Sequence, residues 1–198
     1  MKIPPRSLLK GLRGSKGNYQ MSNNAILVID MLKGFLDEGY PLYCGAAARE
    51  IVPGVLEFLE AEHEKGTTII FVKDTHPKND PEFELYPEHC VQGTEECKLI
   101  DEINSLIRGN DVNAFHVPKM TFSGFWDTEL DDILKRVEAK RLTIFGVCTD
   151  ICVMHTVADA RKRGWKVEVP KKLCASFDPA NHEWALEHMQ NVLGAEVV

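Results

Sequence analysis

The feature that most constrains this chain is a set of short apolar runs with no polar alternation. They are Ala25-Ile26-Leu27-Val28-Ile29, Thr68-Ile69-Ile70-Phe71-Val72 and Leu142 to Val147, and further strands are read at Val112 to Val117 and Val167 to Val169. A strand with one wet face alternates apolar and polar residues, so an unbroken run needs cover on both faces. Helical spacing fills the gaps between the runs. Val55, Leu56 and Leu59 follow Pro53 and stop at Gly66; Leu99, Ile100, Ile103, Leu106 and Ile107 stop at Gly109. Leu130, Ile133, Leu134 and Val137 predict a third helix, Val153, Val157 and Ala160 a fourth that ends at Gly164, and Trp184, Leu186 and Met189 a fifth that opens at Pro179. Residues 196–198 read as a last strand. Strand–helix alternation of this kind predicts a mostly parallel sheet with helices on both faces and right-handed crossovers.

The alternation begins only at residue 25. The first twenty residues carry Lys2, Arg6, Lys10, Arg13 and Lys16 and no acid, and they lack the apolar content to bury a core. They are predicted to form a basic, flexible arm over 1–20, ahead of a single domain over 21–198, with Met21 an alternative start. A net charge of -7 in 198 residues argues against non-specific nucleic-acid binding. No apolar run approaches the ~20 residues of a membrane span. The six cysteines, in a chain without a secretory leader, read as free thiols of a cytoplasmic protein rather than as a disulfide framework.

Ligands of parallel α/β sheets gather at the carboxyl ends of the strands. Four predicted strand ends carry reactive groups: Asp30, Asp74 with His76, Lys119, and the turn Gly146-Val147-Cys148-Thr149-Asp150-Ile151-Cys152-Val153. A cysteine at a helix N-terminus meets the positive end of the dipole, which lowers its pKa, and the free N–H groups there can hold an oxyanion. Cys152 is therefore the candidate nucleophile. Asp30 can take its proton, and the Lys119 ammonium favours both anions. Asp74 and His76, two residues apart, with His89 later in the same loop, suit a divalent metal; Glu82 between them is a further ligand or a supporting carboxylate. Each piece has a bland reading: a helix cap, a solvated lysine, a polar turn, a structural thiol. Four reactive strand ends in one sheet weigh against all of these at once.

These residues resemble the isochorismatase-like cysteine hydrolase superfamily, and within it the nicotinamidases. The resemblance runs through Val28-Ile29-Asp30-Met31 with Phe35, Asp74-Thr75-His76, Pro87-Glu88-His89 to Gly93-Thr94, Pro118-Lys119 with Phe122-Ser123-Gly124-Phe125, Gly146 to Val153, and Ala175-Ser176-Phe177 with His182. It implies a three-layer α/β/α, Rossmann-like fold and a catalytic triad of Asp30, Lys119 and Cys152. It also implies a cis peptide at Val147–Cys148, an oxyanion hole from the backbone N–H groups of Cys148 and Cys152, and one divalent ion on Asp74, His76 and His89. Zinc is the expected ion, with iron or manganese as alternatives. Phe35, Phe125 and Trp126 are expected against the substrate. The implied reaction turns nicotinamide into nicotinate and ammonia through a thioester, in NAD salvage, within a homo-oligomer. The competing readings are a family hydrolase for another small amide or ester, a catalytically silent relative, and a zinc hydrolase that uses metal-bound water and leaves Cys152 idle.

Overall fold

The computed structural model describes residues 24–107 and 114–198. The expected arm over 1–20 lies outside them, as do Gly109 and Val112. In chain order the elements are β1 (Asn24–Ile29), α1 (Lys33–Leu36), α2 (Ala46–Arg49), α3 (Val52–Glu64), β2 (Thr68–Asp74), α4 (Asp101–Leu106) and β3 (Ala114–Lys119). They continue with α5 (Leu130–Arg136), β4 (Arg141–Val147), α6 (Met154–Lys162), β5 (Lys166–Val169), β6 (Cys174–Ala175), α7 (Pro179–Asn191) and β7 (Glu196–Val197). The strands run in the order β3-β2-β1-β4-β5-β7, with β6 also beside β4. Every pairing is parallel, and helices complete a three-layer α/β/α sandwich.

The apolar runs account for this order. Ala25 through Ile29 and Leu142, Ile144, Phe145 and Val147 are sealed from solvent, so β1 and β4 occupy the middle of the sheet. The helices meet them with their periodic residues: Val55 and Leu59 from α3, Ile133 and Leu134 from α5, Val157 and Ala160 from α6, Met189 from α7. Burying one such side chain stabilises the fold by ~1.5–3 kcal/mol. Local signals set the helix ends. Pro53 sits in the first turn of α3, where its missing N–H costs nothing. The Asp178 carboxylate caps α7 by accepting from the N–H groups of Ala180 and Asn181.

The topology also sets the place of the site. The chain builds β1, β2 and β3 outward to one side, then crosses back to lay β4 on the other flank of β1. The carboxyl ends of β1 and β4 therefore diverge into a crevice at the switch point, where doubly wound sheets take their ligands. Gly146 makes the approach of the two strands possible. It pairs with Ile29, its φ is +129°, and a Cβ on it would stand 2.0 Å from the Ile29 carbonyl oxygen. Only glycine fits there.

Candidate active site

Asp30 follows β1 directly and is held in the left-handed region, with φ at +50°, an uncommon conformation for a residue with a Cβ. Two bonds to β2 fix it there. Its N–H donates to the Val72 carbonyl at 2.9 Å, and its Oδ1 accepts the Asp74 N–H at 2.7 Å. Lys119, at the end of β3, reaches under the same crevice with its side chain wholly buried. Its Nζ lies 2.8 Å from Asp30 Oδ2 and 2.5 Å from Asp74 Oδ1, and 3.6 Å from Cys152 Sγ. The structure thus brings the three predicted strand-end groups, Asp30, Lys119 and Cys152, into one cluster.

Beyond β4 the peptide Val147–Cys148 is cis. Residues Thr149–Val153 then form a single π-helical turn that leads into α6, with the Val153 N–H donating to the Cys148 carbonyl at 3.1 Å. Such wide turns recur at functional sites because they re-aim one side chain. Here the turn directs Cys152 toward Lys119. Thr149, fully buried, is tied to the His182 Nδ1 of α7 at 2.8 Å, and Asp150 Oδ1 accepts the Ser176 hydroxyl. The turn is therefore pinned from both sides.

Electrostatics in the cluster differ from the sequence expectation in one respect. Burial pushes the Cys152 thiol well above its ordinary pKa; Lys119 opposes this, while the Asp30 and Asp74 carboxylates add to it. The helix end does not prevail over desolvation beside two acids. Burial likewise raises Asp30 to about 6, with Lys119 pulling the other way and Asp74 adding to the rise. A carboxylate at that value is matched to proton transfer near neutral pH, and it interacts directly with the Cys152 thiol.

Asp74 joins this cluster to a second one. Its Oδ1 faces Lys119, while its Oδ2 lies 3.3 Å from His76 Nε2 and 3.4 Å from His89 Nε2. All three residues are buried, and their ligand atoms lie within 4.8 Å of one another. The donor set fits a divalent ion. His76 Nε2 is fully buried and makes no hydrogen bond, and each Nδ1 is already engaged, His76 with Asp80 Oδ2 at 3.0 Å and His89 with the Pro87 carbonyl at 2.8 Å. Both Nε2 atoms therefore face one carboxylate oxygen, an arrangement that a shared cation between them would satisfy. Burial lowers the pKa of both imidazoles, yet Asp74 outweighs it: His76 rises to about 9, and His89 rises too. Asp74 itself is held far below the usual carboxylate range, because Lys119 and the two histidines overcome its burial. A cluster with this balance takes up positive charge.

The two clusters open into one cavity of about 210 Å³, lined by Asp30, Asp74, Glu82, His89, Cys148 and Cys152 on the polar side. Phe35, Leu42, Tyr86, Phe122, Ile151 and Phe177 form the apolar side. The volume is below the ~300–1,000 Å³ of drug-sized ligand sites, so the occupant is small and largely apolar. Phe35 is in the wall. Phe125 and Trp126, expected against the substrate, are not among the residues that line the cavity. Phe125 is buried under the Arg163 guanidinium, 4.6 Å from its ring centre, and the Trp126 side chain is 69% exposed. Glu82 faces the cavity but is not one of the clustered ligand atoms. The six cysteines are all free thiols, and no helix of the described residues is long and apolar enough to cross a membrane.

Comparison with known proteins agrees with the geometry. The isochorismatase domain family matches residues 24–198. An isochorismatase family protein, PncA, of Bacillus subtilis is 33% identical over 87% of this chain and 97% of its own. The crystal structure of nicotinamidase PncA from Bacillus subtilis superposes with a TM-score of 0.85 at 34% identity, over 89% of this chain and 99% of that one. The pyrazinamidase of Pyrococcus horikoshii, solved in complex with zinc, gives 0.79 at 32% identity, over 89% and 98%. With an acid, a buried lysine and a cysteine gathered at the switch point of a parallel sheet, and a matching family domain over all the described residues, this chain belongs to the isochorismatase family and is similar to its nicotinamidases.

Proposed function

We propose that the chain hydrolyses nicotinamide to nicotinate and ammonia through a thioester on Cys152, returning the pyridine ring to NAD synthesis. The observation that carries this reading is the shared carboxylate of Asp74. One of its oxygens completes the Asp30–Lys119–Cys152 cluster and the other faces two imidazole Nε2 atoms, beside a single small cavity that Asp30, Asp74, His89 and Cys152 line. A flat ring that bears both an amide and a nitrogen ligand engages both halves at once.

In this reading Asp30 takes the thiol proton as Cys152 Sγ attacks the amide carbon, and Lys119 steadies the anions that form. The backbone N–H groups of Cys148 and Cys152 hold the oxyanion, each donor contributing ~3 kcal/mol to the barrier reduction. Asp30 then passes the proton to the amide nitrogen, the C–N bond breaks and ammonia leaves. Water, deprotonated by Asp30, attacks the thioester, and nicotinate departs with the thiol restored. Asp74, His76 and His89 would hold a divalent ion, zinc in our assignment, which offers a coordination position to the ring nitrogen. Phe35 and Phe122 confine the ring, so its positioning is shared between donors and apolar walls. Six free thiols are suited to a reducing cytoplasm.

The test is ammonia release by the purified protein from nicotinamide, measured beside pyrazinamide, benzamide and a panel of aliphatic amides. Preference for the two nitrogen heterocycles over benzamide is the expected result. Equal turnover of benzamide, or turnover confined to aliphatic amides, would move the substrate assignment elsewhere in the family.

A further inference from the structure

The two histidines that face Asp74 are oriented by different means. His89 donates its Nδ1–H to the backbone carbonyl of Pro87, an anchor that no substitution removes. His76 is held by a side chain: its Nδ1 lies 3.0 Å from Asp80 Oδ2, four residues on. The imidazole is wholly buried and the Asp80 side chain is 10% exposed, so water does not readily replace this bond. The other Asp80 oxygen, Oδ1, accepts the Glu82 N–H at 2.9 Å and caps the short turn Pro81–Glu84. That turn carries Glu82 into the cavity wall and places the Phe83 ring 5.5 Å from His76 and 5.6 Å from His89. One carboxylate therefore sets both the ring plane of His76 and the path of the loop beside the ligand set.

We infer that Asp80 is the positioning residue of the metal site: it fixes the Nδ1–H tautomer of His76 and so presents Nε2 to the ion shared with Asp74 and His89. The inference rests on reading these three residues as metal ligands. Carboxylate partners of this kind typically set metal affinity by 10–100-fold. A ring freed from Asp80 can rotate about χ2 or present either nitrogen, and the fraction of protein ready to bind falls accordingly.

Three variants separate the two jobs of Asp80. Asp80→Asn keeps one oxygen, which can accept from Nδ1 while its amide nitrogen faces the Glu82 N–H, so the bond to His76 survives and the cap is lost. Asp80→Ser keeps a good cap for the Pro81–Glu84 turn but is too short to reach Nδ1. Asp80→Ala loses both. The measurement is zinc affinity by competition with a chromogenic chelator, alongside the melting temperature of the zinc-free proteins. We expect Asp80→Ser and Asp80→Ala to bind zinc ~10–100-fold more weakly, and Asp80→Asn to stay within about tenfold of the original. The melting temperature of the zinc-free Ser variant should be close to the original, and those of the Asn and Ala variants, which lose the cap, somewhat lower. Equal zinc affinity in Asp80→Ser and the original protein would overturn the positioning role and leave the metal site standing. If the original protein took up no zinc at all, both this inference and the metal assignment would fall.

Discussion

Gly146→Ala probes the contact that sets the active-site crevice. The new methyl group would stand 2.0 Å from the Ile29 carbonyl oxygen and 2.9 Å from its carbon and nitrogen, all backbone atoms of a central strand that cannot rotate away. The backbone must also keep a φ of +129°, which costs a non-glycine residue ~1–3 kcal/mol. Forcing the strands apart adds ~1–3 kcal/mol of overpacking. The sum, about 2–6 kcal/mol, corresponds to a fall in Tm of roughly 4–24 °C for a chain of this size. The displaced residue Ile29 precedes Asp30, and Gly146 lies two residues before Cys148, so turnover should collapse even where the variant remains folded. Gly39→Ala is the control, because its φ is +100° but nothing lies within 4 Å of the point a Cβ would occupy; it should show the backbone strain without the clash or the loss of activity. Thermal unfolding and initial rates on the three proteins decide the matter. A Gly146→Ala protein that melts within about 2 °C of the original, well inside the expected fall, and turns over normally would refute the argument that this close approach positions the site.

Asp30→Asn keeps the shape of the base and removes its proton acceptance, so kcat should fall by ~10²–10⁴-fold with the fold intact; near-normal turnover would take Asp30 out of the mechanism. Chelation, or His76→Ala, should weaken nicotinamide turnover strongly while Cys152 remains open to alkylation by iodoacetamide; full activity in protein shown to be free of metal would remove the ion from the account. Phe122→Ala should raise KM more than it lowers kcat, because the ring lines the cavity and carries no group that moves a proton, whereas Trp126→Ala, on an exposed side chain, should change neither; the reverse pattern would support the sequence expectation for Trp126.

Much of the fold is legible in the sequence because the central strands are sealed on both faces, and a doubly buried strand leaves an unbroken apolar run. The short elements are less legible. β6 is two residues long, Cys174–Ala175, too short for any periodicity, and α1 and α2 span four residues each. The reactive strand ends can be read because register and topology follow from the strand order, and strand order brings their carboxyl ends together. The cavity wall cannot be read in the same way. Phe122, Phe125 and Trp126 lie in one short loop, and only its conformation decides that Phe122 faces the cavity, Phe125 packs under Arg163 and Trp126 meets solvent. Asp80 is present in the spacing, four residues after His76, but an acidic residue in a polar loop carries no mark until its oxygen is seen at Nδ1. The raised pKa of Cys152 escapes a reading of the residues alone, because a helix terminus is visible in a sequence and desolvation is not.

The central claim is that the Cys152 sulfur forms the covalent bond, and ammonia release from nicotinamide by Cys152→Ala tests it most directly, with Cys148→Ala measured in parallel. The account predicts that the Cys152 variant folds normally and releases no ammonia above background, while the Cys148 variant, which keeps its backbone N–H, retains most of the original rate. A folded Cys152→Ala protein that still hydrolyses nicotinamide at a substantial fraction of that rate would contradict the covalent mechanism.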